Sequence, residues 1–305
     1  MISIVCPGQG SQKPGFLTPW LEYEGVKQHL ERLSEAAELD LGYYGTQADE
    51  QTIKDTVIAQ PLIVAAGLIA GRLLQKSPAY QPAEIIFAGH SVGEVTAAAL
   101  SGVLSDQDAL RFIKVRAQGM AAAAQDKASG MCAVLGGEQS EVLAAIQEAG
   151  LTAANFNGPG QIVAAGSTDK LQEFAAQPPR KTRVISLKVA AAFHTPFMEA
   201  ARQPLASFAA GLKVEDPNSL LLANSDGKAV QSGRDFVDGL VDQVVKPVRW
   251  DLCMQTLAQS QLSTLLEVCP AATLIGLAKR SLKGLPTIAV NTPADLPAAS
   301  QALAA

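Results

Sequence analysis

Apolar and polar positions follow two rhythms along this chain. Short apolar runs at 2–6 (Ile-Ser-Ile-Val-Cys) and 85–88 (Ile-Ile-Phe-Ala) read as buried strands. Between them helical patterns dominate to about residue 74. The most apolar stretch, 62–74, reads as a core helix started by Gln60-Pro61; Arg72 interrupts it, and it is too short to span a bilayer. Residues 106–124 form another helix, with Ser105 as its N-cap. Strands alternating with helices predict an α/β fold with a mostly parallel sheet.

The texture changes near Ser129-Gly130. A strand at 131–135 and a helix at 140–149 are followed by strands at 152–156 and 161–165, parted by Asn157-Gly158-Pro159-Gly160. A helix at 168–176 and a strand at 183–189 complete the order β-α-β-β-α-β, the ferredoxin-like split motif. The chain therefore divides into a large domain of 1–127 and 191–305 and an inserted small domain of 128–190. The Ala-rich tail, 296–305, is expected to fray.

At 305 residues and 48% hydrophobic, the chain can bury a large core. Its net charge of −5 argues against nucleic acid or an anionic membrane as a whole-surface partner. Cys6, Cys132, Cys253 and Cys269 have neither metal-ligand spacing nor a disulfide-scaffold context, so four reduced cysteines and no metal are expected. The N-terminus lacks a signal-peptide pattern, which makes the cytoplasm the default compartment. Nothing in the sequence reads oligomeric state, and a monomer is the default.

The chemistry centres on Gly89-His90-Ser91-Val92-Gly93. Preceded by a strand and followed by the helical run from Glu94, this G-x-S-x-G reads as a nucleophile elbow. It leaves the Ser91 hydroxyl exposed at the strand end and aims the Val92 N–H at a developing oxyanion. The loop Pro7-Gly8-Gln9-Gly10-Ser11-Gln12 fits a role in bringing backbone N–H groups to the same site. A serine nucleophile needs a base, and only three histidines are available. His29 sits on a charged helix and reads as a solvated surface residue. His90 adjoins the serine and diverges from it, which suits pocket lining. His194, in Phe193-His194-Thr195-Pro196 just past the small domain, is the favoured base. Arg116 lies among Ile113, Val115, Ala117 and Met120, where a charge must be paired or used. An ordinary ion pair and a clamp on a substrate carboxylate both satisfy that requirement, and spacing alone does not decide between them.

With Ser91, Arg116 and His194 placed, the chain resembles the malonyl-CoA:acyl carrier protein transacylases over essentially its whole length. The matching segments are the Pro7–Gln12 loop, Gln60-Pro61, Gly89-His90-Ser91-Val92-Gly93-Glu94, Arg116, Asn155-Phe156-Asn157, Phe193-His194, and Gln243 followed by Pro247-Val248-Arg249-Trp250. The resemblance implies a hydrolase-like core with the ferredoxin-like insertion, and no cofactor. It implies that Ser91 is acylated with His194 as base, that the main-chain carbonyl of Gln243 orients His194, and that the N–H groups of Gln9 and Val92 form the oxyanion hole. It implies that Arg116 grips the malonyl carboxylate with Gln60 close by, and it puts His90, Asn155 and Phe193 at the substrate. The ring of Phe193 would leave little room for an α-methyl branch. The implied partners are malonyl-CoA and the phosphopantetheine thiol of acyl carrier protein, in a ping-pong transfer that supplies fatty-acid elongation. One departure is Cys269-Pro270-Ala271, where relatives often carry Gly-Pro-Gly; it falls on a turn.

The rival readings are a serine esterase or thioesterase with the same elbow, the malonyl transacylase of a malonate decarboxylase or polyketide system, and an inactive carrier-binding scaffold. The esterase reading lacks an HGGG motif. It also lacks an acidic third member of evident context, with only Asp126 and Asp169 between Ser91 and His194.

Overall fold

The buried runs pair into two sheets. The computed structural model describes residues 1–125 and 128–304. The chain begins β1 (Ile2–Cys6), α1 (Val26–Ala37), α2 (Leu41–Thr46), α3 (Thr56–Gln75), β2 (Ile85–Gly89), α4 (Gly93–Leu100) and α5 (Asp106–Ala124). It continues β3 (Ser129–Gly136), α6 (Gln139–Glu148), β4 (Thr152–Phe156), β5 (Gln161–Ser167), α7 (Thr168–Ala176) and β6 (Thr182–Ser186). It ends α8 (Glu199–Ala210), β7 (Leu220–Leu222), α9 (Gly233–Asp242), α10 (Trp250–Gln259), β8 (Thr264–Val268), α11 (Thr273–Ser281), β9 (Thr287–Val290) and α12 (Leu296–Leu303).

The first sheet is parallel throughout, in the order β7-β2-β1-β8-β9. Ile4 sits opposite Phe87 on one side and Leu266 on the other. Every residue of β1, β2 and β8 is buried, because helices cover both faces. The period-2 alternation of a strand sorts the side chains. Ile4, Phe87 and Leu266 enter the core that holds α3, α4 and α5, whereas Val5, Ile86 and Leu265 enter a second core under α10 and α11.

The second sheet is antiparallel, in the order β4-β5-β3-β6. Cys132, Val134, Ile162 and Ala164 pack under Val142 and Ile146 of α6 and Phe174 of α7, a separate small core. The opposite face of this sheet, through Met131, Ala154, Val163 and Ala165, joins the large core, and the chain crosses between the two layers near residues 128 and 190.

Three sequence expectations need correction. The apolar helix does not start at Gln60-Pro61. It starts at Thr56, where the Asp55 side chain accepts from Val57 N, and Pro61 lies inside it. Pro61 is the sixth residue of the helix, beyond the unpaired N–H groups of its first turn, so it forfeits a bond to Val57 O, and the burial of the surrounding apolar residues outweighs that loss. At 20 residues α3 is long and apolar enough to cross a membrane by length and composition, yet it is the buried central helix of this fold. The strand expected at 183–189 ends at Ser186, and residues 187–189 turn away toward the site. The tail does not fray over the described residues: α12 docks through Leu296, Ala299 and Leu303.

Candidate active site

The turn between β2 and α4 carries Ser91 at φ +54°, the left-handed region a non-glycine residue enters only under constraint. Its flanking glycines are required by contact. A Cβ on Gly89 would stand 2.0 Å from the Gly93 carbonyl carbon, and one on Gly93 would stand 2.0 Å from Cys6 O. His90 N donates to Cys6 O at 3.0 Å, so the elbow abuts the end of β1 and the loop carrying Gln9. Val92 is the N-cap of α4. Among the described residues no group accepts from the N–H of Gln9 or of Val92. Both lie in the wall of one cavity with Ser91.

His194 is buried and also left-handed, at φ +61°. Its Nε2 lies 2.7 Å from Ser91 Oγ, and its Nδ1 lies 2.9 Å from the main-chain O of Gln243. A carbonyl oxygen can only accept, so the proton sits on Nδ1 and Nε2 is left to accept from the serine hydroxyl. Gln243 is the C-cap of α9, and its carbonyl belongs to the negative end of that helix. A helix terminus thus stands where a carboxylate orients the ring in a Ser-His-Asp triad. Among the described residues no acidic side chain hydrogen-bonds His194. Asp169 sits in the first turn of α7, and Asp126 lies outside the described residues. Burial, and then the charge of Arg116, push the His194 pKa down to about 3, so the ring is neutral near pH 7.

Arg116, from the middle of α5, is 1% exposed. Its Nη1 donates to Gln60 Oε1 at 2.7 Å, and its Nη2 donates to Gln243 Oε1 at 2.9 Å and to Ser91 Oγ at 3.2 Å. No carboxylate is among these partners. Gln60 is oriented in turn by its Nε2, which donates to the thioether Sδ of Met120 at 3.7 Å.

The cavity above these groups has a volume of about 200 Å³. The parallel-sheet side supplies Gln9, Gln60, Ser91, Arg116, Phe193 and His194, and the antiparallel-sheet side supplies Asn155, Asn157 and Val163. Leu274 and Leu277 of α11 complete it, reached through the Cys269-Pro270-Ala271 turn. His90 turns away from the serine and places Nε2 2.9 Å from Asn157 Oδ1, joining the two sides. Thus Ser91, His194, Gln9, Val92, Arg116, Gln60, His90, Phe193 and Asn155 all line one space, and Gln243 stands behind it, bonded to His194 and Arg116. His29 stays apart, but it is not a solvated surface residue. It is half-buried, with Nε2 3.0 Å from Asp106 Oδ2, and Arg72 holds the same carboxylate.

Sequence reasoning missed the layer beneath the serine. Asn224 accepts from Ser91 N at 2.9 Å and donates to Gly89 O at 2.7 Å, bracing the elbow. Glu94 accepts from Asn224 N at 2.6 Å and from Gln243 Nε2. The signal for Glu94 was present: a lone charge in a mostly apolar run, Val92 to Leu100. Asn157 was named within the matching segment Asn155-Phe156-Asn157 without a role, and Asn224 offered no signal.

Residues 4–296 match the acyl transferase domain family, and the chain belongs to that family. Within it, the malonyl CoA-acyl carrier protein transacylase of Mycobacterium tuberculosis is 46% identical over 296 residues, covering 97% of this chain and 98% of the relative. The transacylase of that name from Escherichia coli is 30% identical over 304 residues, with 97% and 98% covered. The crystal structure of MCAT from Mycobacterium tuberculosis superposes with a TM-score of 0.96 at 46% identity, covering 98% of this chain and 99% of that one.

Proposed function

We propose that this chain transfers a malonyl group from malonyl-CoA to the phosphopantetheine thiol of acyl carrier protein, through a malonyl ester on Ser91. The observation that carries this reading is the position of Arg116. Its guanidinium lies 3.2 Å from Ser91 Oγ inside a buried cavity. Malonyl is the matching acyl group, because one methylene separates its reacting carbonyl from its carboxylate. Esters and thioesters without a terminal anion have no use for a desolvated cation at that point.

The geometry supports the following steps. Ser91 Oγ attacks the thioester carbonyl while its proton passes to His194 Nε2. The N–H groups of Gln9 and Val92 meet the oxyanion. Collapse expels the CoA thiolate, which takes the proton from His194. The carrier thiol then gives its proton to His194 and attacks the malonyl ester, and Ser91 recovers its hydrogen. Gln60 steadies Arg116, and Phe193 narrows the space beside the acyl α-carbon.

We assign residues 1–127 and 191–305 to a hydrolase-like catalytic domain and 128–190 to a ferredoxin-like one. The elbow at a parallel strand end supports the first name. The β-α-β-β-α-β order and the strand arrangement β4-β5-β3-β6 support the second. Four buried free cysteines suit a reducing cytoplasm. The test is to incubate the protein with labelled malonyl-CoA. Label should appear on Ser91 and move to holo-carrier protein; label released to water instead would favour a thioesterase.

A further inference from the structure

Arg116 is a buried cation whose three hydrogen bonds all run to neutral oxygens. Among the described residues no ion pair includes it. Glu94, in the first turn of α4, is a buried acid, 3% exposed, likewise outside every such ion pair. A single side chain lies between them. Gln243 accepts from Arg116 through Oε1 and donates to Glu94 through Nε2. Chemistry fixes that direction. A guanidinium has only donors to offer and a carboxylate only acceptors, so the amide between them can be turned only one way. Burial pushes the Glu94 carboxyl up to about 8 and the Arg116 guanidinium down to about 10, and each charge opposes that push on the other. Both Glu94 oxygens accept from N–H groups, Asn224 N and Gln243 Nε2, so the carboxylate is the form these bonds fit.

We infer that Glu94 is the counter-ion of Arg116, held one amide away by Gln243, and that this separation keeps the guanidinium open to a substrate carboxylate. The inference rests on Arg116 being the carboxylate clamp. A buried arginine with no counter-charge is costly to fold. A carboxylate placed directly on it would form the two-pronged pair that a substrate carboxylate itself must form, and would compete for the same edge. The amide resolves the conflict. Its dipole lies with oxygen toward the cation and hydrogens toward the anion, so the charge is balanced while only neutral contacts need be given up when malonyl arrives. Gln243 then acts twice: its carbonyl orients His194, and its side chain sets the state of the clamp. Glu94 is a positioning residue, acting through Gln243 on Arg116.

The test exchanges the two groups. In Glu94→Gln/Gln243→Glu every donor still meets an acceptor and the net charge is unchanged, but the carboxylate now sits on Arg116. The expected result is a melting temperature near wild type and a malonyl-CoA kcat/KM lower by about tenfold or more. Any loss passed through His194 by the change at Gln243 falls on malonyl and acetyl alike, so the malonyl-to-acetyl ratio of Ser91 acylation is the readout, and it should fall by about tenfold or more. Recovery of both melting temperature and malonyl kinetics to wild type would mean that Glu94 only fills space, and would overturn the inference. If the exchanged protein does not fold, Glu94→Gln alone decides. There one donor must face another along the chain of bonds, so malonylation of Ser91 should raise the melting temperature more than it does in wild type, and acetylation should not. Equal gains in the two proteins would overturn the inference. Failure of the clamp reading itself is distinguishable, since Arg116→Ala would then leave the malonyl-to-acetyl ratio unchanged.

Discussion

Replacing Arg116 by alanine separates a substrate clamp from a structural cation. Two costs follow from the contacts seen. Gln60 Oε1 and Gln243 Oε1 lose donors at 2.7 and 2.9 Å. A buried acceptor left unpaired costs about 1–3 kcal/mol, so folding should weaken by about 2–6 kcal/mol before water enters the space. The second cost falls on the reaction. Losing one partner of a desolvated, hydrogen-bonded charge pair costs about 2–5 kcal/mol, which is roughly 30-fold to several thousand-fold in malonyl transfer. Acetyl transfer loses only the contact of Nη2 with Ser91 Oγ. The malonyl-to-acetyl ratio should therefore fall by about 30-fold or more. The assay measures Ser91 acylation by each acyl-CoA on folded variant, with thermal melting alongside. A folded variant whose two activities drop together, at constant ratio, would refute the clamp and return the arginine to a purely structural role.

Ser91→Ala should abolish the covalent malonyl-enzyme and cut turnover by roughly 10⁴-fold, checked by intact-mass spectrometry and transfer rate. His194→Ala should be comparably impaired, whereas His29→Ala should keep near-wild-type transfer because its partner Asp106 stays paired to Arg72. With the His194 pKa held down to about 3, kcat/KM should stay flat from pH 7 to pH 5; an acid limb near pH 6.5 would contradict the buried, neutral ring. The same shift has a stability consequence. Between the folded value of about 3 and the ordinary 6.5, the unfolded chain binds the extra proton, so this residue lowers stability as pH falls through that window, and His194→Ala should flatten the acid-unfolding slope there. Gly93→Ala forces a Cβ to within 2.0 Å of Cys6 O; it should lose acylation as well as melting temperature, because the elbow must move off the end of β1.

The first two strands of the parallel sheet and the small domain were legible in the sequence, because they rest on local rules; between residue 190 and the tail no element was read, and β7, β8 and β9 of that sheet emerge only in the structure. Residues 106–124, 152–156 and 168–176 form the expected elements at the expected bounds, since cap, turn residues and apolar period agree there. The elbow was legible for the same reason: Gly89 and Gly93 are needed by backbone contacts that any such strand–turn–helix must make. Where one rule overrode another, the reading slipped. Pro61 suggested a helix start, but burial carries α3 through it from Thr56. The Ala-rich tail offered little to hold it, yet it finds a docking groove for Leu296 and Leu303.

The sequence by itself determined which residue types were present for the chemistry: one serine in an elbow, three histidines, and an arginine among apolar neighbours. Only the tertiary structure decided what each one meets. The imidazole of His194 comes to Ser91 from 103 residues away, and Gln243 reaches Arg116 across 127. Whether Arg116 is an ion pair or an open clamp depends on which oxygens lie at its fork, and that depends on α3, α4, α5 and α9 packing around one point. Glu94, Asn224 and Gln243 show the limit most clearly. A polar side chain in an apolar run announces that it needs a partner, but the partner's identity and the direction of each hydrogen bond are properties of contacts between distant segments, which no local pattern encodes.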